Sequence, residues 1–274
     1  MDTPLSPKSY ALFADFLQKK LGIVLGNNRQ YLVKSRLSGL LKNSNCADYD
    51  ALISKLIQQS DIALTNESLE LMTTNETFWF RDAYPFDLLQ DNILPRLSDS
   101  QNTLRVWSSA CSTGQEPYSI AMTIANYQKN NPGRFRNVEI VASDFNKRVL
   151  TQAKIGSYHE MALSRGLPAY YRQAFFEKID DKHMQVNATI KSMVRFEQVN
   201  LLSSFKALGK FDVIFCRNVL IYFNGKQKTD ILLKFAACMS TNAALMLGAA
   251  ETIGGAEREF TMNSERKGLY YSRL

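Results

Sequence analysis

The sequence is poor in the residues that metal and redox chemistry usually need. Of its 274 residues only four are cysteine, Cys46, Cys111, Cys216 and Cys238, and none forms a Cys-x-x-Cys pair. A zinc site or a disulfide framework is therefore not expected, and a reducing cytoplasm is the simplest home. Histidine is scarcer still, with only His159 and His183. No apolar run approaches the ~20 residues needed to span a bilayer. The opening stretch "MDTPLSPKSYALF" has no basic segment leading into an apolar one, so no secretory signal is expected. The net charge is +7, yet the excess is spread out and makes no long basic run. It fits either a solvated surface or attraction to an acidic partner.

What is present divides into two textures. Up to about residue 75 the chain reads as helices. "SYALFADFLQKKLG" lines up Tyr10, Phe13, Phe16, Leu17 and Leu21, and Gly22 stops it. "NRQYLVKSRLSGLLKN" repeats the pattern with Leu32, Val33, Leu37, Leu40 and Leu41, and its outer face carries Arg29, Lys34, Arg36 and Lys42. "DYDALISKLIQQ" is a third helix capped by Asp48, and "NESLELMTTN" a fourth with Asn66 as cap. Residues 76–100 read as a linker and lid. From 101 onward short β-rich runs alternate with helical segments: "TLRVWSSA", "VEIVASD", "VRFEQVN", "FDVIFCRN" and "AALMLGA". That alternation predicts an α/β fold, a mostly parallel sheet covered by helices. "REFTMNSERKGLYYSRL" reads as a terminal antiparallel hairpin. Residues 155–195 are longer than a usual crossover and read as an inserted subdomain, in which "HMQVNA" and "IKSMVRF" are expected to pair.

The chemistry gathers where strands end. "VWSSACSTGQEPYS" runs from a buried strand through small residues into a helix. That is the geometry of a nucleotide-type cofactor site, yet Gly114 is its only glycine, too few for the pyrophosphate fingerprint. A ligand without phosphates suits it better. S-adenosylmethionine is such a ligand, and Glu116 is placed to meet its ammonium; equally, Glu116 is a first-turn acid serving the helix dipole. Asp144 closes "VEIVASD", where an acid commonly binds ribose hydroxyls, though a turn or capping role is as simple. Arg217 and Asn218 follow the apolar run 211–216. Tyr222 and Phe223 lie a turn further on, either walling the cleft or packing in the core, the favoured reading for Phe223. "TNETFWFRDAYPF" is either an aromatic linker between the halves or a lid bringing Asn75, Thr77 and Arg81 over the cleft.

Together "TNETFWFR", "VWSSACSTGQEPYSIAM", "ASDFN", "VNLL" and "FDVIFCRNVLIYF" resemble, in order and spacing, the CheR-type chemotaxis receptor methyltransferases. The resemblance covers nearly the whole chain. Gln115 and Trp79 stand where the family usually has Glu and Phe. The resemblance implies a Rossmann-like S-adenosylmethionine-dependent methyltransferase domain with a terminal antiparallel hairpin, a small all-α domain before it and a small antiparallel β-subdomain inserted in it. It implies methyl transfer to glutamate side chains on the cytoplasmic helices of chemoreceptors, giving methyl esters and S-adenosylhomocysteine. Carried over, the cofactor contacts are Asn75, Thr77, Arg81, Glu116, Asp144, Asn200, Leu201, Arg217 and Asn218. Arg81 and Tyr222 match the residues nearest the transferred methyl. Basic residues of the second helix, Arg36 among them, match a receptor-docking surface, and the β-subdomain matches one that in some members binds a peptide tether at the receptor's C-terminus. No nucleic acid, no membrane insertion and a monomeric state are expected.

The residues agree with that chemistry. A glutamate with a pKa of ~4.3 is already an anion at neutral pH, so the scarcity of histidine is no handicap. Methylation of a hydroxyl or lysine would need a base. Two rivals compete. A nucleic-acid methyltransferase would show an Asn/Asp-Pro-Pro-aromatic motif or a Pro-Cys nucleophile, and neither is present: Cys111 follows Ala110 and Cys216 follows Phe215. A non-catalytic receptor-binding adaptor would not need every site position filled.

Overall fold

In the computed structural model residues 4–274 are described, and they fall into two compact units. The first reaches to Thr74 and also takes in Tyr222–Gln227; the second holds Asn75–Ile221 and Lys228–Leu274.

The first unit has four helices, α1 (Pro7–Leu21), α2 (Gln30–Asn43), α3 (Tyr49–Gln58) and α4 (Ile62–Leu71). The predicted stripe of α1 is buried from Tyr10 to Leu21, and Gly22 ends the helix in the left-handed region at φ 76°. There the ring of Phe223, itself buried, fills the space a Cβ would need. Asp48 caps α3 by accepting from the Ala51 amide. The fourth helix differs from expectation. It begins four residues before Asn66, and its cap is Asp61, which accepts from the Leu64 amide. Ile62 is exposed at its start and hides the apolar signal there.

The second unit opens on a helical run, α5 (Tyr84–Leu88), a π-helical stretch (Leu89–Ile93) and α6 (Leu94–Ser98). This is more than a linker: Phe86, Leu88, Leu89, Ile93, Leu94 and Leu97 belong to the unit's main core. Next come β1 (Thr103–Ser109), α7 (Gln115–Asn130), β2 (Asn137–Asp144), α8 (Lys147–Ile155), β3 (Ser157–His159), α9 (Glu160–Leu163), α10 (Ala169–Phe175), β4 (Phe176–Lys178), β5 (His183–Val186), α11 (Ala188–Ser192), β6 (Val194–Gln198), β7 (Phe211–Cys216), α12 (Gly225–Cys238), β8 (Met239–Leu247), β9 (Phe260–Glu265) and β10 (Gly268–Arg273).

Seven strands form one sheet in the order β6-β2-β1-β7-β8-β10-β9, all in one direction except β10, which runs antiparallel to both its neighbours β8 and β9. Leu104 and Val106 of β1 join Ile120 and Ile124 of α7 in the main core. Trp107 makes ring contacts with Phe205, Phe211 and Phe235 at 5.0–5.3 Å. Its indole nitrogen donates to Ser143 Oγ at 2.9 Å, so the buried polar atom is satisfied.

The insertion is a separate three-stranded antiparallel sheet, β3-β5-β4. The expected pairing of "HMQVNA" with "IKSMVRF" is not made. Asn187 caps α11 by accepting from the Ile190 amide, and the chain then enters β6, which pairs parallel with β2 in the main sheet. The alternation in "IKSMVRF" conceals a helical turn that buries Ile190. The subdomain's strands thus run only from Ser157 to Val186.

Candidate functional site

Register sets a row of strand ends side by side. Asp144 of β2 pairs with Gln198 of β6, while Ser109 of β1 pairs with Ser143 and with Cys216 of β7; Cys216 pairs in turn with Leu247 of β8. Strand order reverses at β1/β7, the place where open α/β sheets bind ligands beyond the carboxyl ends.

The turn after β1 is built without a glycine-rich motif. Ala110 and Ser112 take left-handed conformations at φ 57° and 50°, with Gly114 at 95°. Non-glycine residues pay about 1–2 kcal/mol each for this, so something must hold them. The Cys111 amide donates to Ser143 O at 2.8 Å and the Ser112 amide to Asp144 Oδ2 at 2.9 Å. Asp144 also accepts from the Asn146 amide at 2.9 Å, and its carbonyl takes the Val199 amide at 3.0 Å. One acid therefore ties the turn, the start of α8 and the Asn200 loop together. Asn200 turns that loop by accepting from the Leu202 amide, and Leu201 is buried beside it.

Arg217 is the most enclosed charge in the site, its side chain 1% exposed between two carboxylates. It donates to Glu116 Oε2 at 3.0 Å, to Asp82 Oδ2 at 2.6 Å and to the Arg81 carbonyl at 2.8 Å. Ser108 Oγ donates to the other Glu116 oxygen at 2.8 Å. Burial pushes the Glu116 carboxyl upward, against the pull of Arg217. Arg217 also fixes a strained stretch: Phe80, Asp82 and Ala83 all have positive φ, from 47° to 66°. The Arg81 guanidinium makes only a 3.4 Å bond to the Glu76 carbonyl and lies 5.2 Å from the Phe78 ring.

Two aromatics of "TNETFWFR", Trp79 and Phe80, pack inside this second unit. Trp79 is fully buried, edge-on to Tyr158 at 4.8 Å and to Phe176 at 5.3 Å, and Phe80 stacks on Tyr171 at 4.7 Å. Asn75 and Thr77 line a polar cavity of about 350 Å³ whose wall also includes Thr113, Gln115, His159 and His183. Tyr222 belongs to the first unit, half-buried, its carbonyl accepting from the Val24 amide.

Of the residues expected in the site, the second unit brings Arg81, Glu116, Arg217 and Asn218 to neighbouring strand ends, with Asp144, Asn200 and Leu201 at the β2–β6 end of the row. Asn75 is tied to the turn, its carbonyl accepting from Ser112 Oγ at 2.8 Å. Sequence reasoning missed Asp82, hidden beside Arg81, and Glu251, which lies just beyond the end of the buried strand β8.

Without the glycines that let a backbone close on a pyrophosphate, the turn suits a nucleoside ligand without phosphates, and beside it Asn218 Oδ1 and Arg217 Nε are buried without a partner. This defines the class as the S-adenosylmethionine-dependent methyltransferases. The chain belongs to the CheR methyltransferase family: the family's S-adenosylmethionine-binding domain matches residues 75–269 and its all-alpha domain residues 8–73. A chemotaxis protein methyltransferase of Vibrio parahaemolyticus is 41% identical over 267 residues, covering 97% of each chain. Chemotaxis protein methyltransferase 1 of Pseudomonas aeruginosa is 42% identical over 265 residues, 96% of each. The Escherichia coli chemotaxis protein methyltransferase is 32% identical over 265 residues, 95% of this chain and 90% of that one.

Proposed function

We propose that this protein methylates glutamate side-chain carboxylates on the cytoplasmic helices of chemoreceptors, giving glutamyl methyl esters. The observation that carries the reading is the charge balance at the strand ends. Glu116 and Asp82 share one buried guanidinium, so their cluster keeps an excess negative charge suited to a ligand with a cationic sulfonium and ammonium. S-adenosylmethionine, when bound, supplies an electrophilic methyl whose sulfur leaves as the neutral thioether of S-adenosylhomocysteine.

The chain's own residues have three tasks in this reading. Glu116 receives the ammonium; each of its oxygens keeps a lone pair beyond the bonds from Ser108 and Arg217. Asp144 faces the ribose hydroxyls, with Asn200 and Leu201 beside the adenine, and Asn75, Thr77 and Asn218 complete the contacts. Arg81 orients the incoming carboxylate; for Tyr222 the same role rests on the resemblance alone. No base is needed, because the nucleophile is already an anion. Alignment and desolvation are what remain to be supplied, and such positioning is worth roughly 7–11 kcal/mol in favourable cases. Too firm a grip by Arg81 would blunt the nucleophile, so its loosely held guanidinium suits the role.

The substrate's acidic helices would meet the basic face of α2. Arg29 and Lys42 are exposed there, and Lys34 is half-buried. Arg36 has a different occupation: its guanidinium donates to the carbonyls of Met72 and Thr73 and to Thr74 Oγ1. It holds the chain end after α4 and is a poor probe of docking. A receptor tether on the β-subdomain, a monomeric state and a cytoplasmic location belong to the same proposal. The test is to incubate the protein with methyl-labelled S-adenosylmethionine and receptor-bearing membranes, then treat the protein with mild alkali. Label released as methanol is the expected result. Transferred label that resists alkali would place the methyl on nitrogen or another atom and overturn the carboxylate mechanism.

A further inference from the structure

Glu251 has no part in the reading so far, yet its carboxylate accepts from four backbone amides. It is 8% exposed and sits just beyond β8, in a turn closed by its own amide donating to the Gly248 carbonyl at 2.9 Å. Its Oε2 accepts from the amides of Asn218 at 2.7 Å and Gly248 at 2.8 Å. Its Oε1 accepts from Val219 at 2.9 Å and Ile221 at 3.3 Å. Four amides fill the roughly four lone-pair sites a carboxylate has. Three of them belong to the irregular stretch after β7, which has no strand or long helix to satisfy it. Unmet, each buried amide would cost about 1–3 kcal/mol.

The stretch so held is Asn218–Ile221, and its first residue is unusual. Asn218 sits in the left-handed region at φ 59°, with its side-chain Oδ1 buried and unpartnered. A strained backbone and an unmet buried acceptor are both costs that the fold does not recover by itself. The short bond from the Asn218 amide to Glu251 holds that conformation directly. Gly248 shows how closely the parts fit: a Cβ there would lie 2.6 Å from Glu251 Oε2, 2.9 Å from the Asn218 amide nitrogen and 3.0 Å from its Nδ2.

We infer that Glu251 is a positioning residue for the cofactor site, a side-chain anion that presets Asn218 and the adjoining Arg217 for the nucleoside ligand. The inference rests on the proposed roles of Arg217 and Asn218. It separates two jobs on one strand end: Arg217 is fixed through its side chain by Glu116 and Asp82, and the backbone that carries it is fixed by Glu251.

The experiment is calorimetric titration of S-adenosylhomocysteine into the full chain, comparing wild type with E251Q, E251D and G248A. E251Q keeps the shape but turns an amide donor toward amide donors. It is expected to weaken the dissociation constant at least tenfold with stoichiometry near that of wild type. E251D keeps the charge on a shorter arm and should fall between the two. G248A leaves the carboxylate in place and wedges a methyl into the same contact, so it should weaken binding as well and keeps the inference testable should E251Q not fold. A role confined to holding the fold together would instead lower the fraction of binding-competent protein and leave the dissociation constant of the rest unchanged; that outcome overturns the inference. If wild type fails to bind S-adenosylhomocysteine, the cofactor-site reading falls and takes this inference with it. If wild type binds and the three variants match it within twofold, the inference falls alone.

Discussion

The two units spend their polar groups differently. In the first, polar side chains serve helix ends and chain reversals: Ser6, Asp48 and Asp61 cap α1, α3 and α4, and Arg36 ties down the chain after α4. Its backbone takes the left-handed region where glycine or a turn residue stands, at Gly22, Asn28 and Gln59. At the strand ends of the second unit, Phe80, Asp82, Ala83, Ala110, Ser112 and Asn218 are all left-handed without being glycine. Asp144 holds Ser112, Glu251 holds Asn218, and the buried Arg217 guanidinium holds the Arg81–Asp82 stretch. A unit whose local preferences agree with its fold needs only caps; a unit that must present groups to a ligand holds strained backbone with buried charge.

The sharpest way to break that contrast is to remove the central charge. Arg217→Met leaves Glu116 and Asp82 without their shared cation, and breaking a buried ion pair costs about 3–5 kcal/mol. Denaturant unfolding of the second unit should show a loss of that size, with S-adenosylhomocysteine binding abolished. The variant also carries a pH signature. Glu116's carboxyl already lies above its ordinary value because of burial, and losing Arg217 raises it further. An acid whose folded pKa is raised takes up its proton first in the folded state. Stability should therefore recover as pH falls through that folded value toward the unfolded one, and the full penalty applies above it. A loss that stays the same as pH falls from neutral down to the ordinary carboxylate range would mean that Glu116 is not where the charge is felt.

The next effect belongs to the first unit. Arg36→Gln removes charge-assisted bonds to Met72, Thr73 and Thr74, and such bonds contribute about 1.5–3 kcal/mol. A lower melting transition with unchanged S-adenosylhomocysteine affinity is expected. Arg29→Glu and Lys42→Glu, on exposed side chains, should instead slow receptor methylation several-fold and leave melting within a degree or two. Equal behaviour of all three variants would remove the distinction between a structural and a docking arginine.

How much of this was legible in the sequence follows the same division. The stripe of α1, the Gly22 stop and the Asp48 cap are written in local spacing, and so are the strands, because buried parallel strands read as apolar runs. The α4 start was misread because Ile62 is exposed, and the "IKSMVRF" pairing because alternation over seven residues also fits a helical turn followed by a strand. At the site, acids and basic residues placed just after buried strands were visible. Their partners were not. That Arg217 meets Glu116 across 101 residues and Asp82 across 135 is a product of register and strand order. Glu251 was missed for the same reason: its four amides come together only once β7 and β8 are side by side.

A smaller loss separates a cap from a strand-end acid. Asp48→Ala leaves the Ala51 amide without its acceptor and should cost about 1 kcal/mol, read as a shift in the unfolding midpoint of the first unit.

The smallest effect lies in the amino half of the second unit's sheet. Glu139 of β2 stands opposite Arg105 of β1 and accepts from its Nε at 2.7 Å, with Arg195 on the other oxygen at 3.0 Å. The Arg105 bond holds its carboxyl below the usual range. At 39% exposure solvent screens most of that attraction, leaving about 0.5 kcal/mol. A carboxyl with a depressed folded pKa stabilises the fold above its unfolded value, and the contribution is lost as pH falls through the folded one. Glu139→Gln should therefore be slightly less stable than wild type at pH 7 and equal to it once pH is well below 4. Added salt should close the gap at pH 7, while leaving the Arg217→Met deficit largely in place, because enclosed charges are screened far less than exposed ones. A salt response of the same size in both variants would show that the strand-end charges are as open to solvent as Glu139, and the contrast between a solvated ladder and an enclosed site would fail.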